Sequence, residues 1–346
     1  MNRKKCPLAG AKPGMKLASS IIKEHGQVML AEGTVLTATF IEKLKLINME
    51  SVDIVEDAGA EAPAPLSSVE TFAAVYDDTL QVIENCFSTM RYFKEVPLIQ
   101  MKELVDTSIN LMADATGVFS YLQVIRKQDD YTFRHSLNVA VISGILGKWV
   151  GLAGEKLKDL IFAGLLHDIG KTQIPLEILN KPAKLTQEEM NIMKGHPLEG
   201  YKMLLGEPGT NKDILYGVLQ HHEKIDGTGY PWGINGEQIH PFAKIIAVAD
   251  IYDAMTSDRV YHLKQTPFEV IAEIKQETFG KLDPAICVTF LRNILDYFIG
   301  TKVRLSDGEE AEIIYQGHNT YPTVYTRDGR FIDLQINREI SIVSLI

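Results

Sequence analysis

The sequence predicts a mainly α-helical protein with a small α+β domain at its N-terminal end and a small β module at its C-terminal end. Apolar residues recur every three or four positions through most of residues 67–300, whereas they alternate with polar ones after residue 301. An Ala/Pro-rich segment at 58–66 separates off the first domain as a linker. With 346 residues, 45% of them hydrophobic, the chain can bury one large core and one or two small ones.

The first 57 residues predict short strands and one helix, in a domain that could be regulatory. Ile21–Ile22 and Val28–Leu30 flank a tight turn, residues 37–46 have helical spacing, and Ser51–Val55 has strand composition. After the linker, residues 67–128 predict a helical connector interrupted by Pro97. The connector helices either brace the next domain or pair with a second copy of the chain, as in a homodimer.

Residues 129–300 predict an all-helical domain that contains most of the histidines. One buried helix runs into His167 and Asp168, and Gly170 is placed to end it. Histidines on separate helices are expected to point toward one interior.

Two further helices are predicted in this domain. Thr186 and Glu189 form a capping-box pattern that opens a helix ending near His196. A third helix carries Ile214 and His222 on one face.

Residues 301–346 predict a small antiparallel sheet or barrel. Asp307-Gly308 and Asp328-Gly329 supply hairpin turns between segments of strand composition. This module is expected to serve either regulation or packing, and packing is favoured.

Charge and cysteine content narrow the class of protein. A net charge of −10 argues against binding to a DNA or RNA polymer, so any nucleotide ligand should be small. Cys6, Cys86 and Cys287 are widely spaced and suit free thiols in a reducing compartment. We find no apolar span long enough to cross a bilayer and no signal-peptide core, so we expect a cytoplasmic protein.

Asp250 indicates a cation in the helical domain. It lies in an otherwise apolar run, where an uncompensated carboxylate would cost several kcal/mol. A metal ion or a buried Arg or Lys could compensate it, and the nearby histidines favour the metal. The candidate ligands are His135, His167, Asp168, His196, His221, His222 and Asp250.

This mixed nitrogen and oxygen ligand set suits Fe, Mn, Zn, Co or Ni better than Ca or Mg. The seven residues exceed the needs of one metal. With Asp168 bridging, they fill most of the coordination spheres of two metals about 3.5–4 Å apart. Such a pair of metals hydrolyses phosphodiesters by means of a hydroxide that bridges them. We expect Lys171 to contact a phosphate oxygen and Tyr230 to contact a base or a phosphate.

Four stretches resemble the HD-GYP family, a branch of the HD phosphohydrolases. They are residues 167–171 (HDIGK), 221–223 (HHE), 226–231 (DGTGYP) and 249–259 (ADIYDAMTSDR). The resemblance covers about residues 129–295 and its motifs occur in the family's order. It implies an all-helical HD-type catalytic domain that hydrolyses cyclic di-GMP to linear pGpG and in some members on to GMP. Residues 1–57 resemble, more loosely, a small domain that precedes HD-GYP domains in some bacteria.

The resemblance also implies roles for individual residues. It assigns the seven candidate ligands to two divalent metals, with iron or manganese favoured. His135, His167 and Asp250 hold one metal, His196, His221 and His222 hold the other, and Asp168 bridges them. The expected catalytic residues are Asp168 and Lys171, and the expected substrate contacts are Lys171, Gly229, Tyr230, Pro231 and Arg259.

One departure from the family bears on the number of metals. Some members place a glutamate four residues before the first ligand histidine to hold a third metal, and this chain has Tyr131 there. A binuclear site is therefore expected. Two alternatives stay open: a catalytically silent cyclic di-GMP receptor acting through signalling partners, and an HD phosphohydrolase for another nucleotide.

Overall fold

The computed structural model describes most of the helical region and both terminal modules. The described residues are 3–12, 15, 17–22, 28–30, 32, 36, 41, 44–45, 49–55, 66, 68–93, 95–115, 117–125, 131–256, 266–277, 280–315 and 321–346. Among them, no helix combines the length and apolar character needed to cross a membrane.

The elements confirm the mainly α fold class. The helices are α1 (Val69–Phe93), α2 (Leu98–Leu104), α3 (Asn110–Ala113), α4 (Val118–Val124), α5 (Tyr131–Trp149), α6 (Gly154–Leu166), α7 (Leu176–Leu179), α8 (Gln187–Met193), α9 (His196–Leu204), α10 (Lys212–Gln220), α11 (Pro241–Thr256), α12 (Pro267–Glu277) and α13 (Pro284–Ile294). The strands are β1 (Arg3–Pro7), β2 (Ile21–Ile22), β3 (Val28–Leu30), β4 (Ser51–Val55), β5 (Lys302–Leu305), β6 (Glu310–Tyr315), β7 (Thr323–Thr326), β8 (Phe331–Asp333) and β9 (Ile342–Leu345).

The N-terminal residues pack around their own small core. Strand β1 pairs antiparallel with β4, with Cys6 opposite Val52, and β2 pairs with β3 as the predicted hairpin. Leu8, Leu17 and Leu36 are among the buried residues of this core. The sequence indicated β4 but not β1. The predicted helix at 37–46 lies largely outside the described residues.

The connector helices share the main hydrophobic core with the domain that follows. Phe72 and Tyr76 of α1 are almost fully buried there, as are Met101 of α2 and Phe119 of α4. Pro97 precedes α2, where its missing N–H costs little because the first turn of a helix leaves its N–H groups unpaired. The connector therefore braces the helical domain.

The C-terminal strands form one five-stranded antiparallel sheet with the order β8-β7-β6-β5-β9. The predicted turns place Gly308 and Gly329 in the left-handed region, with φ of 89° and 86°. Val303 and Ile313 belong to the same core as the helices, so the module packs on the helical domain. The domain boundaries expected from the sequence stay predictions.

Three helix ends differ from those predicted. Helix α6 ends at Leu166, and Gly170 lies beyond it in a 3-10 turn (Ile169–Gln173), so Gly170 does not end the helix. The capping box of Thr186 and Glu189 is present, but α8 ends at Met193 and a new helix begins at His196. The proline that follows His196 suits the first turn of a helix, where an N–H is dispensable. Helix α10 ends at Gln220, so His222 lies just past it.

Candidate metal centre

The seven predicted ligands come together at the ends and in the middle of five helices. They form two groups of atoms, each with its ligand atoms within 4.8 Å of one another. The first group is His135, His167 and Asp250, and the second is Asp168, His196, His221 and His222.

Asp168 presents one carboxylate oxygen to each group. Its Oδ2 lies 3.3 Å from Nε2 of His167 and 3.7 Å from Nε2 of His135. Its Oδ1 lies 3.1 Å from Nε2 of His196 and 4.0 Å from Nε2 of His221. A carboxylate placed in this way is suited to bridge two cations.

Backbone carbonyls orient three of the imidazoles. Nδ1 of His167 donates to the carbonyl of Gly164 at 2.8 Å, and the carbonyls three residues upstream of His196 and His221 accept in the same way at 2.8 and 2.7 Å. A carbonyl only accepts, so the proton of each ring is on Nδ1. The lone pair of Nε2 therefore points into the site. This is the tautomer in which an imidazole binds a metal through Nε2.

The unoccupied lone pairs show that the site fits a cation. Nε2 of His167 and Oδ1 of Asp168 are buried without a hydrogen-bond partner in the described part of the chain. Nε2 of His196 faces Oδ1 of Asp168, so two acceptors lie 3.1 Å apart. Buried acceptors left facing each other are costly unless a positive charge lies between them.

The protonation states also suit a cation. Burial lowers the pKa of His221 and brings the pKa of His222 down to about 3, so both rings are neutral. Burial would raise the pKa of Asp168, but the neighbouring His167 and Lys171 outweigh this effect and hold the pKa well below its usual value. The carboxylate is thus ionised.

The surroundings of His135 favour a positive charge on its ring. Burial disfavours its charged form, but hydrogen bonds to Asp250 and Asp253 outweigh this effect and raise its pKa to about 9. Its Nε2 lies 3.0 Å from Oδ1 of Asp250 and its Nδ1 lies 2.8 Å from Oδ2 of Asp253. A metal held at Nε2 would take the place of the proton that Asp250 stabilises there.

Lys171 lies in the 3-10 turn that follows Asp168. Its side chain is a quarter exposed and its Nζ lies 2.5 Å from Oδ2 of Asp168. Gly170 lets this turn approach α9, because a Cβ there would overlap the carbonyl oxygen of His196 and lie 2.5 Å from the amide nitrogen of Gly200. The close approach of the turn to α9 explains why this residue is a glycine.

The loop of residues 226–231 returns to the histidines. The amide of Tyr230 donates to the carbonyl of His222 at 3.1 Å, and their rings lie 4.7 Å apart. Gly229 packs so closely on Glu223 that a Cβ on Gly229 would lie 2.5 Å from the Cα of Glu223. Pro231 follows Tyr230 through a cis peptide bond. Arg259 lies outside the described residues.

Two carboxylates that support the site were not recognised from the sequence. Asp253 is 1% exposed and accepts from Nδ2 of Asn138 at 2.8 Å in addition to its contact with His135. Its position three residues after Asp250 places both on one helix face, and that spacing was the available signal. Glu223 is 4% exposed and accepts the backbone amides of Trp232 and Ile234 at 2.7 and 3.1 Å, which shapes the loop.

Several known proteins are similar to this chain in sequence. Residues 120–286 match the model of the HD domain. The cyclic di-GMP phosphodiesterase PA4108 of Pseudomonas aeruginosa is 34% identical over 235 residues, which are 68% of this chain and 56% of that protein. The 3'3'-cGAMP-specific phosphodiesterase 1 of Vibrio cholerae is 35% identical over 179 residues, which are 51% of this chain and 41% of that protein. The chain spans about half the length of these curated relatives.

A solved structure shares the fold. Bd1817, a HDG"Y"P protein from Bdellovibrio bacteriovorus, superimposes with a TM-score of 0.55 at 17% identity, covering 85% of this chain and all of that one (100%). The molecule is thus an HD-domain protein with a His/Asp cluster that can bind divalent metal. More specifically, the chain belongs to the HD-GYP family.

Proposed function

We propose that this protein is a metal-dependent phosphodiesterase that hydrolyses cyclic di-GMP to linear pGpG. The observation that carries the proposal is the placement of Asp168, which turns one oxygen toward each of two ligand groups. The name of the similar Pseudomonas aeruginosa protein supports the substrate. We propose the cytoplasm as its location.

We propose a binuclear centre of iron or manganese. His135, His167 and Asp250 would hold one ion, His196, His221 and His222 the other, and Asp168 would bridge them. Bound divalent ions supply Lewis-acid stabilisation of phosphate oxygens and lower the pKa of water. The neutral imidazoles of His221 and His222 and the ionised carboxylate of Asp168 are in the protonation states that such binding requires, whereas His135 would have to release the proton on Nε2.

The remaining residues would bind the substrate at the mouth of the site. The ammonium of Lys171 is partly exposed beside Asp168, where it can neutralise a phosphate oxygen. The ring of Tyr230, close to His222, offers a face on which a base can stack. Lys194 lies 5.4 Å from the centre of the same ring and adds positive charge there. We also propose Gly229, Pro231 and Arg259 as substrate contacts.

A second substrate, 3'3'-cGAMP, is favoured by the name of the similar Vibrio cholerae enzyme. It carries the same two phosphodiester groups, so the metals and Lys171 would serve both substrates. The two differ in one base, which places the discrimination in the base-contacting part of the site.

The test is hydrolysis by anaerobically purified protein of which the metal content has been measured. Cyclic di-GMP and 3'3'-cGAMP are supplied side by side and the products are resolved by chromatography. We expect about two metals per chain and a higher kcat/KM for cyclic di-GMP. Faster turnover of 3'3'-cGAMP would establish the second candidate, and binding of cyclic di-GMP without turnover by metal-replete protein would establish a receptor.

A further inference from the structure

Helix α1 contacts the turn that carries Lys171, although it lies outside the 120–286 region matched by the HD domain. In its last turn, Arg91 donates from Nη2 to the carbonyl of Lys171 at 2.8 Å and from Nη1 to the carbonyl of Ile174 at 3.0 Å. One planar guanidinium therefore joins two successive turns of backbone. Such a fork has a fixed geometry that a lysine ammonium does not reproduce.

The bonded carbonyls belong to the segment that sets the position of the Lys171 side chain. The amide of Lys171 donates to the carbonyl of Asp168 at 2.9 Å, and the amide of Ile174 donates to the carbonyl of Lys171 at 3.2 Å. Arg91 reinforces this turn from outside. Since Nζ of Lys171 lies 2.5 Å from Asp168, a shift of the turn would move the ammonium relative to the metal ligands.

A second contact joins the same helix to the other side of the site. The hydroxyl of Tyr76 donates to Oδ1 of Asn138 at 2.7 Å, and Asn138 donates to Oδ1 of Asp253 at 2.8 Å. Asp253 in turn bonds Nδ1 of His135 at 2.8 Å. All of these groups are buried, so α1 is held rigidly against the helices that carry the ligands.

We propose that Arg91 is a positioning residue that holds Lys171 in its place beside Asp168, so that the catalytic unit extends beyond the HD domain to include α1. The kinetic part of this inference rests on the proposed function. Arg91 also lines a cavity of about 490 Å³ together with Lys171 and Phe87, so direct contact between Arg91 and the substrate is the competing explanation.

The experiment is a double-mutant cycle between Arg91 and Lys171. The variants are Arg91→Gln, Arg91→Lys, Lys171→Ala and the double variant that combines Arg91→Gln with Lys171→Ala. Each is assayed for kcat, KM and metal content. The matched control is Arg292→Gln, because Arg292 is an exposed arginine in the last turn of α13.

We expect Arg91→Gln to lower kcat by about 10- to 100-fold with metal content unchanged, since small displacements of a reacting group have effects of this size. Arg91→Lys should lose nearly as much, because it keeps the charge but not the fork. In the Lys171→Ala background, Arg91→Gln should add less than about twofold. If the losses in kcat of Arg91→Gln and Lys171→Ala multiply in the double variant, Arg91 acts directly on the substrate and the proposal is overturned. If Arg91→Lys keeps the wild-type kcat, the action of Arg91 is purely electrostatic, which also overturns the proposal.

Hydrogen exchange gives a readout that does not depend on activity. Arg91→Gln should speed exchange of the amides of Lys171 and Ile174, while the control leaves them unchanged. Unchanged exchange in Arg91→Gln would refute the positioning role. Faster exchange in a protein that hydrolyses neither nucleotide would refute the proposed function instead and leave the positioning of Lys171 established.

Discussion

Replacement of Asp253 by asparagine should weaken metal binding at the His135 group. In the wild-type protein, the hydroxyl of Tyr76 donates to Asn138 at 2.7 Å. Asn138 and His135 then each donate to the carboxylate of Asp253 at 2.8 Å. The carboxylate accepts on both oxygens. An asparagine has one oxygen and one NH₂, so one of the two donors that it faces must meet another donor.

The magnitude follows from that mismatch. If the NH₂ faces Nδ1 of His135, the ring can no longer keep a proton on Nδ1, so its remaining proton stays on Nε2, the atom that faces Asp250 and the metal group. If it faces Asn138 instead, a buried donor is left unpaired at a cost of about 1–3 kcal/mol. A loss of about 10- to 100-fold in metal affinity is also the usual effect of changing such a partner.

The assay is metal titration of the metal-free protein against a competing chelator. Asp114→Asn is the control, because Asp114 is an exposed carboxylate paired with Lys148. We expect the control to match wild type and Asp253→Asn to bind one of the two metals about 10- to 100-fold more weakly. If Asp253→Asn folds and binds both metals within about twofold of wild type, Asp253 does not fix the His135 tautomer.

Four further changes separate the roles of the site residues. Asp168→Ala should abolish full metal loading and hydrolysis together, and normal turnover by a folded variant of measured metal content would contradict the bridging role. Lys171→Ala should retain both metals while kcat/KM falls about 10- to 100-fold, the worth of one charge-assisted hydrogen bond, and loss of metal would contradict its assignment to the substrate. Gly170→Ala should lower the free energy of unfolding by about 3 kcal/mol, because its Cβ would overlap the backbone of α9. Urea denaturation measures this change, and Gly10→Ala is the control because a Cβ there meets open space. Glu223→Gln should raise KM more than it lowers kcat, because one of the amides of Trp232 and Ile234, which anchor the end of the 226–231 loop, loses its acceptor. Equal effects on both constants in steady-state kinetics would argue against a role in binding.

The sequence by itself determined the fold class, the β2–β3 hairpin, the turns of the C-terminal sheet and which candidate ligands lie together. Periodicity and turn chemistry are local properties, and a buried carboxylate such as Asp250 requires a partner wherever it lies. The free state of Cys6, Cys86 and Cys287 was likewise predicted from their spacing and is confirmed.

Only the tertiary structure decided the distances within the site and what supports it. The family resemblance implied the two groups and the bridging role of Asp168, but the approach of one Asp168 oxygen to each group depends on where five helices meet. Gly170 looked like a helix end because glycine often is one, but the approach of α9 is what requires it. Arg91 and Asp253 act on residues 80 and 118 positions away along the chain, and a hydrogen bond between such distant residues exists only once the core has brought their helices together.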